Sequence, residues 1–184
     1  MARSLNLGRN WPQECRAFVE HWNTVRGDTL VPPTETFLDS MSGRFASRLY
    51  ITELMPTASV VRYLGTELAQ RWGSDLTGQE ILADRPAAVR ARLRKIMAAV
   101  SGHPCGYFAT SLFLSTNDRT HAASLVRLPL AVQPGRPART VTYSEPEIGF
   151  VKDPAPIRRF ETLESAWVDI GAGVPSEAPQ GIRA

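Results

Sequence analysis

Apolar positions recur along the chain with two different periods, and the switches between them mark out its elements. From Trp11 to Val25 the residues Cys15, Phe18, Val19, Trp22 and Val25 fall at spacings of three and four, one stripe of an amphipathic helix. Arg26-Gly27-Asp28 ends it, and Val31-Pro32-Pro33 continues as extended chain. Phe37, Leu38 and Met41 space a short helix that Ser42-Gly43-Arg44 breaks. Leu49 to Leu54 reads as a first strand, Met55-Pro56-Thr57 as a turn, and Val60, Val61, Tyr63 and Leu64 as the strand that completes a hairpin. A helix follows at Gly65, with Thr66 as its cap, Glu67 in its first turn, Leu68 and Trp72 on one face, and Gly73 as its stop. Asp75-Leu76-Thr77-Gly78 is a capped turn, and Glu80 to Asp84 form one irregular helical turn.

Pro86 opens the longest internal helix, whose core stripe is Val89, Leu93, Ile96, Met97 and Val100 and whose end is Gly102. The period then drops to that of strands. Tyr107 to Leu114 and Ala122 to Val132 are joined by Ser115-Thr116-Asn117-Asp118, and Pro134-Gly135-Arg136-Pro137 leads to a last strand from Arg139 to Ser144. These elements predict an α+β fold: an antiparallel five-stranded sheet with helices on one side, an N-terminal amphipathic helix and a C-terminal extension. Pro129 cannot donate to a ladder and belongs at an edge or bulge. Beyond Gly149, Pro154-Ala155-Pro156 marks a linker, Ile157, Phe160, Leu163 and Trp167 space one more helix, and residues 171–184 have the composition of a disordered tail. The expected organisation is an N-terminal helix and linker over 1–33, the main domain over 34–149, and the helix and tail over 150–184.

A chain of 184 residues can hold one core without staples. Its opening lacks the apolar core of a signal peptide and no later run reaches bilayer-spanning length, so a cytoplasmic address is expected. Cys15 and Cys105 show no metal or redox spacing and read as buried small hydrophobes. The formal charge of +3 comes almost wholly from arginine and does not demand a nucleic-acid partner.

The stretch RYLGTELAQRWGSDLTG, with Arg62, Gly65, Thr66 and the Leu76-Thr77-Gly78 turn, resembles the PAS domain family, in particular a bacterial branch in which one sensory domain makes up most of the chain. HWNTVRGDTLVPP, the strand entry at His103-Pro104 and LVRLPL from Leu125 to Leu130 agree with that branch in order and spacing. The resemblance implies a non-enzymatic sensory or regulatory module acting by helix repacking, with output through contacts with another molecule. In such proteins a terminal helix often packs on the sheet or on a second subunit, so Phe18, Val19, Trp22 and Val25 are the candidate interface of a homodimer. The resemblance names no cofactor. The connecting helix holds no histidine for haem, and neither cysteine lies where a flavin photosensor keeps its reactive one.

The candidate binding site is a cavity between sheet and helices. Tyr63, Trp72, Tyr107, Phe108, Leu112 and Leu128 are its expected lining, and Arg62, Arg127 and Tyr143 its polar handles. A filled core is the plainer use of the same aromatic residues. The second function class is a structural homodimeric interaction module. The third is a small enzyme with His103 or His121 as base, although His103-Pro104-Cys105 has no orienting acid beside it. Arg85, Arg90, Arg92, Arg94 and Lys95 form a basic cluster read as a solvated helix face, and no phosphate-binding glycine loop accompanies it.

Overall fold

The computed structural model describes Leu5, Leu7 and residues 11–41, 43–81, 83–146 and 157–179. The first apolar stripe forms helix α1 (Gln13–Arg26), and its side chains lie down on a sheet. Two short helices, α2 (Thr34–Asp39) and α3 (Gly43–Ala46), lead to the hairpin β1 (Leu49–Leu54) and β2 (Ser59–Leu64). Helices α4 (Thr66–Trp72) and α5 (Ala87–Gly102) follow, and then strands β3 (Gly106–Ser115), β4 (Thr120–Leu130), β5 (Ala138–Pro146) and β6 (Ile157–Val168). All pairs are antiparallel, in the order β2-β1-β5-β4-β3-β6.

The sheet has six strands rather than five, and the sixth stands where a helix was expected. Phe160 and Trp167 are an odd number of residues apart, which two helical turns satisfy and a regular strand does not. A register shift supplies the missing step: Thr110 pairs with Glu164 but Ser111 with Thr162, so Leu163 is the extra residue. Phe160 and Trp167 thereby reach the same face, while Leu163 stays 57% exposed. Pro154-Ala155-Pro156 lies outside the described residues. Residues 171–179, expected to be disordered, run beside β6, where Trp167 Nε1 donates to the Glu177 carbonyl at 2.8 Å and Ser165 Oγ to that of Pro179 at 3.0 Å.

Helices cover both faces of the sheet, not one. Against α1 lie Leu49, Ile51, Phe108, Val126, Leu128, Val141 and Tyr143. Against α4 and α5 lie Tyr50, Val61, Tyr107 and Ala109. Alternation along each strand divides neighbours such as Tyr107 and Phe108 between the two.

Pro129 sits in an interior strand, not at an edge. The β3–β4 pairing ends at Tyr107 and Arg127, so Pro129 lies past the last partner on that side and its missing N–H interrupts nothing. Its carbonyl instead accepts a hydrogen bond from Trp22 Nε1 at 3.1 Å. Thr66 is the first residue of α4 rather than its cap; Gly65 holds that position, and the Ser47 carbonyl accepts from the Glu67 N–H at 2.9 Å. A Cβ at Gly65 would fall on the carbonyl oxygens of Ala46 and Ser47, so this crossing admits only glycine.

Candidate functional site

On the α5 face the packing is incomplete. A cavity of about 400 Å³, partly open to solvent, lies between the sheet and the segment from Trp72 to Arg85. Its floor takes Tyr50 from β1, Tyr107, Ala109, Ser111 and Phe113 from β3, and Leu125 and Arg127 from β4. The β3 contributors are alternate residues because only one side of a strand can look into the space. Leu93 and Ile96 of α5 form a wall, and Phe160 and Thr162 of β6 close one end. The roof is Trp72, Leu76, Gln79 and Ile81. Backbone bonds tie it to the edge strand β2: Gly78 N to Val61 O at 2.8 Å, Val61 N to Gln79 O at 2.9 Å, and Ile81 N to Ser59 O at 2.8 Å. The same bonds use donors and acceptors that an open edge would leave for another chain.

Tyr50, Trp72, Tyr107, Phe113 and Phe160 bring aromatic rings to the lining. Tyr50 meets Trp72 edge-on at 5.3 Å, and Phe113 stacks on Phe160 at 6.1 Å. Charge enters at two places. Near the roof, Glu80 lies 3.8 Å from Arg90 and Asp84 3.5 Å from Arg85, so those carboxylates have cations beside them. In the floor, Arg127 is only 2% exposed. Its Nε donates to Thr142 Oγ1 and an Nη to the Tyr50 hydroxyl, each at 2.9 Å. Burial pushes the Tyr107 phenol above its ordinary value, outweighing the opposing charge of Arg127, so Tyr107 remains a neutral hydroxyl at physiological pH.

A family model described as a PAS domain matches residues 12–143, well over half of the chain. The chain belongs to the PAS domain family. No curated protein matches it. Among solved structures this PAS chain is similar to VqmA bound to DPO, at 15% identity and a TM-score of 0.44, covering 54% of this chain and 52% of that one. It is also similar to a LOV protein of Rhodobacter sphaeroides, at 15% identity and a TM-score of 0.38, covering 58% of this chain and 62% of that one. It thus spans about half the length of the VqmA chain. Strand β6 lies beyond the residues that the family match covers, yet it contributes Phe160 and Thr162 to the cavity of this PAS domain.

Of the residues expected in the cavity, Trp72, Tyr107 and Arg127 line it. Phe108, Leu128 and Tyr143 belong to the opposite face, where Phe108 stacks on Trp11 at 4.2 Å and Tyr143 on Phe18 at 5.1 Å. Leu112, half-buried, has the parity of Phe108 and also points away from the cavity. Tyr63 is turned to the α1 side by a register shift between Ile51 and Thr52, and its hydroxyl donates to the Ala46 carbonyl at 3.1 Å. Arg62 faces outward and pairs with Glu53 at 2.5 Å. Phe18, Val19 and Trp22 are buried in the chain's own core, with Val25 packed against it, so the sheet occupies the stripe expected to join two copies.

Tyr50, Ser111 and Phe113 line the cavity without having been singled out. The parity of Tyr107 and Arg127 would have found Ser111 and Phe113 once the inward face was known. His103 is exposed near the start of β3, while His121 pairs opposite Phe113 near its far end, so the two histidines are held apart and neither lines the cavity. Burial pushes the Cys105 thiol up to about 11 and the Cys15 thiol up to about 12, and neither is a thiolate at neutral pH. Much of the basic cluster fastens α5 to its neighbours: Arg90 donates to the Ala83 and Arg85 carbonyls and Arg94 to those of Met55 and Pro56. Among the described residues no group of three or more His, Cys, Asp or Glu could hold a metal ion, and no helix is long and apolar enough to cross a membrane.

Proposed function

We propose that this PAS domain is a non-enzymatic sensor whose small-molecule ligand fills the cavity between the sheet and α5. The observation that carries the reading is the cavity itself: about 400 Å³ lined largely by aromatic and aliphatic side chains, with a few convergent polar groups. A volume in the lower part of the ~300–1,000 Å³ range of ligand pockets suits a compact molecule. Signalling follows from where the walls come from. The roof between α4 and α5 and the strand β6 both touch the ligand space, and residues 171–179 lean on β6. A ligand that binds one closure of these segments more tightly than another shifts the population, and a protein partner reads the altered surface.

The test compares the native and denatured mass of freshly purified protein by mass spectrometry. A sensor loaded by its host carries extra mass that denaturation releases. An unloaded protein, together with no thermal stabilisation by any fraction of a small-molecule extract, would overturn the reading.

A further inference from the structure

We infer that the ligand carries one negative charge, placed against Arg127, and that its remainder is planar and apolar. The inference rests on the cavity reading and adds the chemical class of the occupant. An arginine offers five N–H donors in a fixed fork. Two of them are taken, by Thr142 Oγ1 and by the Tyr50 hydroxyl. Both acceptors are neutral. Among the described residues no carboxylate stands within ion-pair distance of this guanidinium, although the side chain is 2% exposed and borders the cavity.

Two other arginines of the sheet and its approach are balanced by carboxylates. Arg48 has Glu67 at 2.8 Å and Glu145 at 3.0 Å, and Arg139 has Glu53 at 2.6 Å. A cation removed from water without an anion is unfavourable unless something else supplies one. A ligand carboxylate or enolate in the cavity would do so through the remaining donors, in the forked geometry arginine prefers. The carboxylates of Glu80 and Asp84 lie near the roof with Arg90 and Arg85 beside them, which offsets their charge toward an anion held at the floor. The rings of Tyr50, Trp72, Phe113 and Phe160 border the same space, and rings pair favourably with an aromatic body.

The experiment measures dissociation constants of 2-naphthoate and its neutral isostere 2-naphthamide by calorimetry, with wild-type protein and with Arg127→Gln and Arg127→Lys. Wild type is expected to prefer the acid by at least about 10-fold. Arg127→Gln is expected to abolish that preference, while Arg127→Lys retains part of it. Equal affinities in the wild type, or a preference that survives Arg127→Gln, would overturn the anion inference and leave the cavity reading standing. Binding of neither probe overturns the inferred ligand class, while the cavity reading is decided separately by the mass comparison and extract screen above. Circular dichroism checks that each variant folds; if Arg127→Gln does not, the wild-type pair and Arg127→Lys decide the matter alone.

Discussion

The two faces of the sheet carry similar residue types and use them in opposite ways. On the α1 face the rings meet one another: Phe18 stacks on Tyr143 at 5.1 Å and meets Phe45 edge-on at 5.6 Å, and Trp22 is fully buried with its N–H bonded to Pro129. On the α5 face Tyr50, Tyr107, Phe113 and Phe160 surround about 400 Å³ of unfilled space. Close packing is the normal state of an interior, and side chains that border a space of this size give up dispersion contacts with one another across it. The α1 face is thus packed ring on ring, while the α5 face buries Val61, Leu68, Met97 and Val100 but leaves room beside them.

The largest break in this contrast comes from Trp22→Ala. It removes a buried indole and orphans the Pro129 carbonyl, and should lower unfolding stability by about 3–5 kcal/mol. Trp72→Ala on the cavity roof, where the ring is already half-exposed, should cost less than half as much. Urea unfolding of the two variants checks the order, and equal losses would mean that the faces are packed alike.

Adding volume sharpens the contrast. A Cβ at Gly106 would stand 2.9 Å from Val168 Cβ and 3.0 Å from Leu128 Cδ2 on the filled face. Gly106→Ala should therefore destabilise by about 1–3 kcal/mol even though its only change is one methyl group. Ala109, three residues along the same strand, faces the cavity. Ala109→Leu adds more carbon yet should change stability by less than about 1 kcal/mol, and it should abolish loading in native mass spectrometry. A cost for Ala109→Leu as large as that for Gly106→Ala would show that the space does not accept side-chain atoms.

The same comparison shows which parts of the structure could be read before folding. Elements with a single period, such as the stripe from Cys15 to Trp22 and that from Val89 to Val100, were legible because each buries one side only. The strands β3 and β4 are apolar on both sides, since helices cover both faces, so alternation could not say whether Tyr107 or Phe108 looks into the cavity. Two bulges hid the rest. One turns Tyr63 away from the cavity, and the other lets Phe160 and Trp167 share a face at a spacing that mimics a helix. That α1 lies on its own sheet rather than on a second copy was equally illegible, because one apolar stripe fits either surface.

The smallest expected effect separates the edge of the sheet from both cores. Glu53 of β1 accepts from Arg139 at 2.6 Å and Arg62 at 2.5 Å, joining β5 to β2 across the strand between them. Burial raises its carboxyl, but the hydrogen bonds and charges of the two arginines outweigh that and hold it below its ordinary value of 4.5. A carboxyl depressed in the folded state stabilises the fold fully above the unfolded value and loses that contribution as pH falls through the folded one. Stability should thus decline on acidification below about pH 4.5, and Glu53→Gln should flatten this limb while costing up to about 1 kcal/mol at neutral pH. Glu67, held below 4.5 chiefly by Arg48 against a similar burial effect, leaves a residual slope in that variant. Urea midpoints for both proteins across pH 3 to 7 check the prediction. Because the affected pairs border neither the cavity nor the α1 aromatic cluster, the preference for 2-naphthoate at neutral pH should be unchanged in Glu53→Gln; a change would mean that the sheet edge and the ligand space are mechanically coupled.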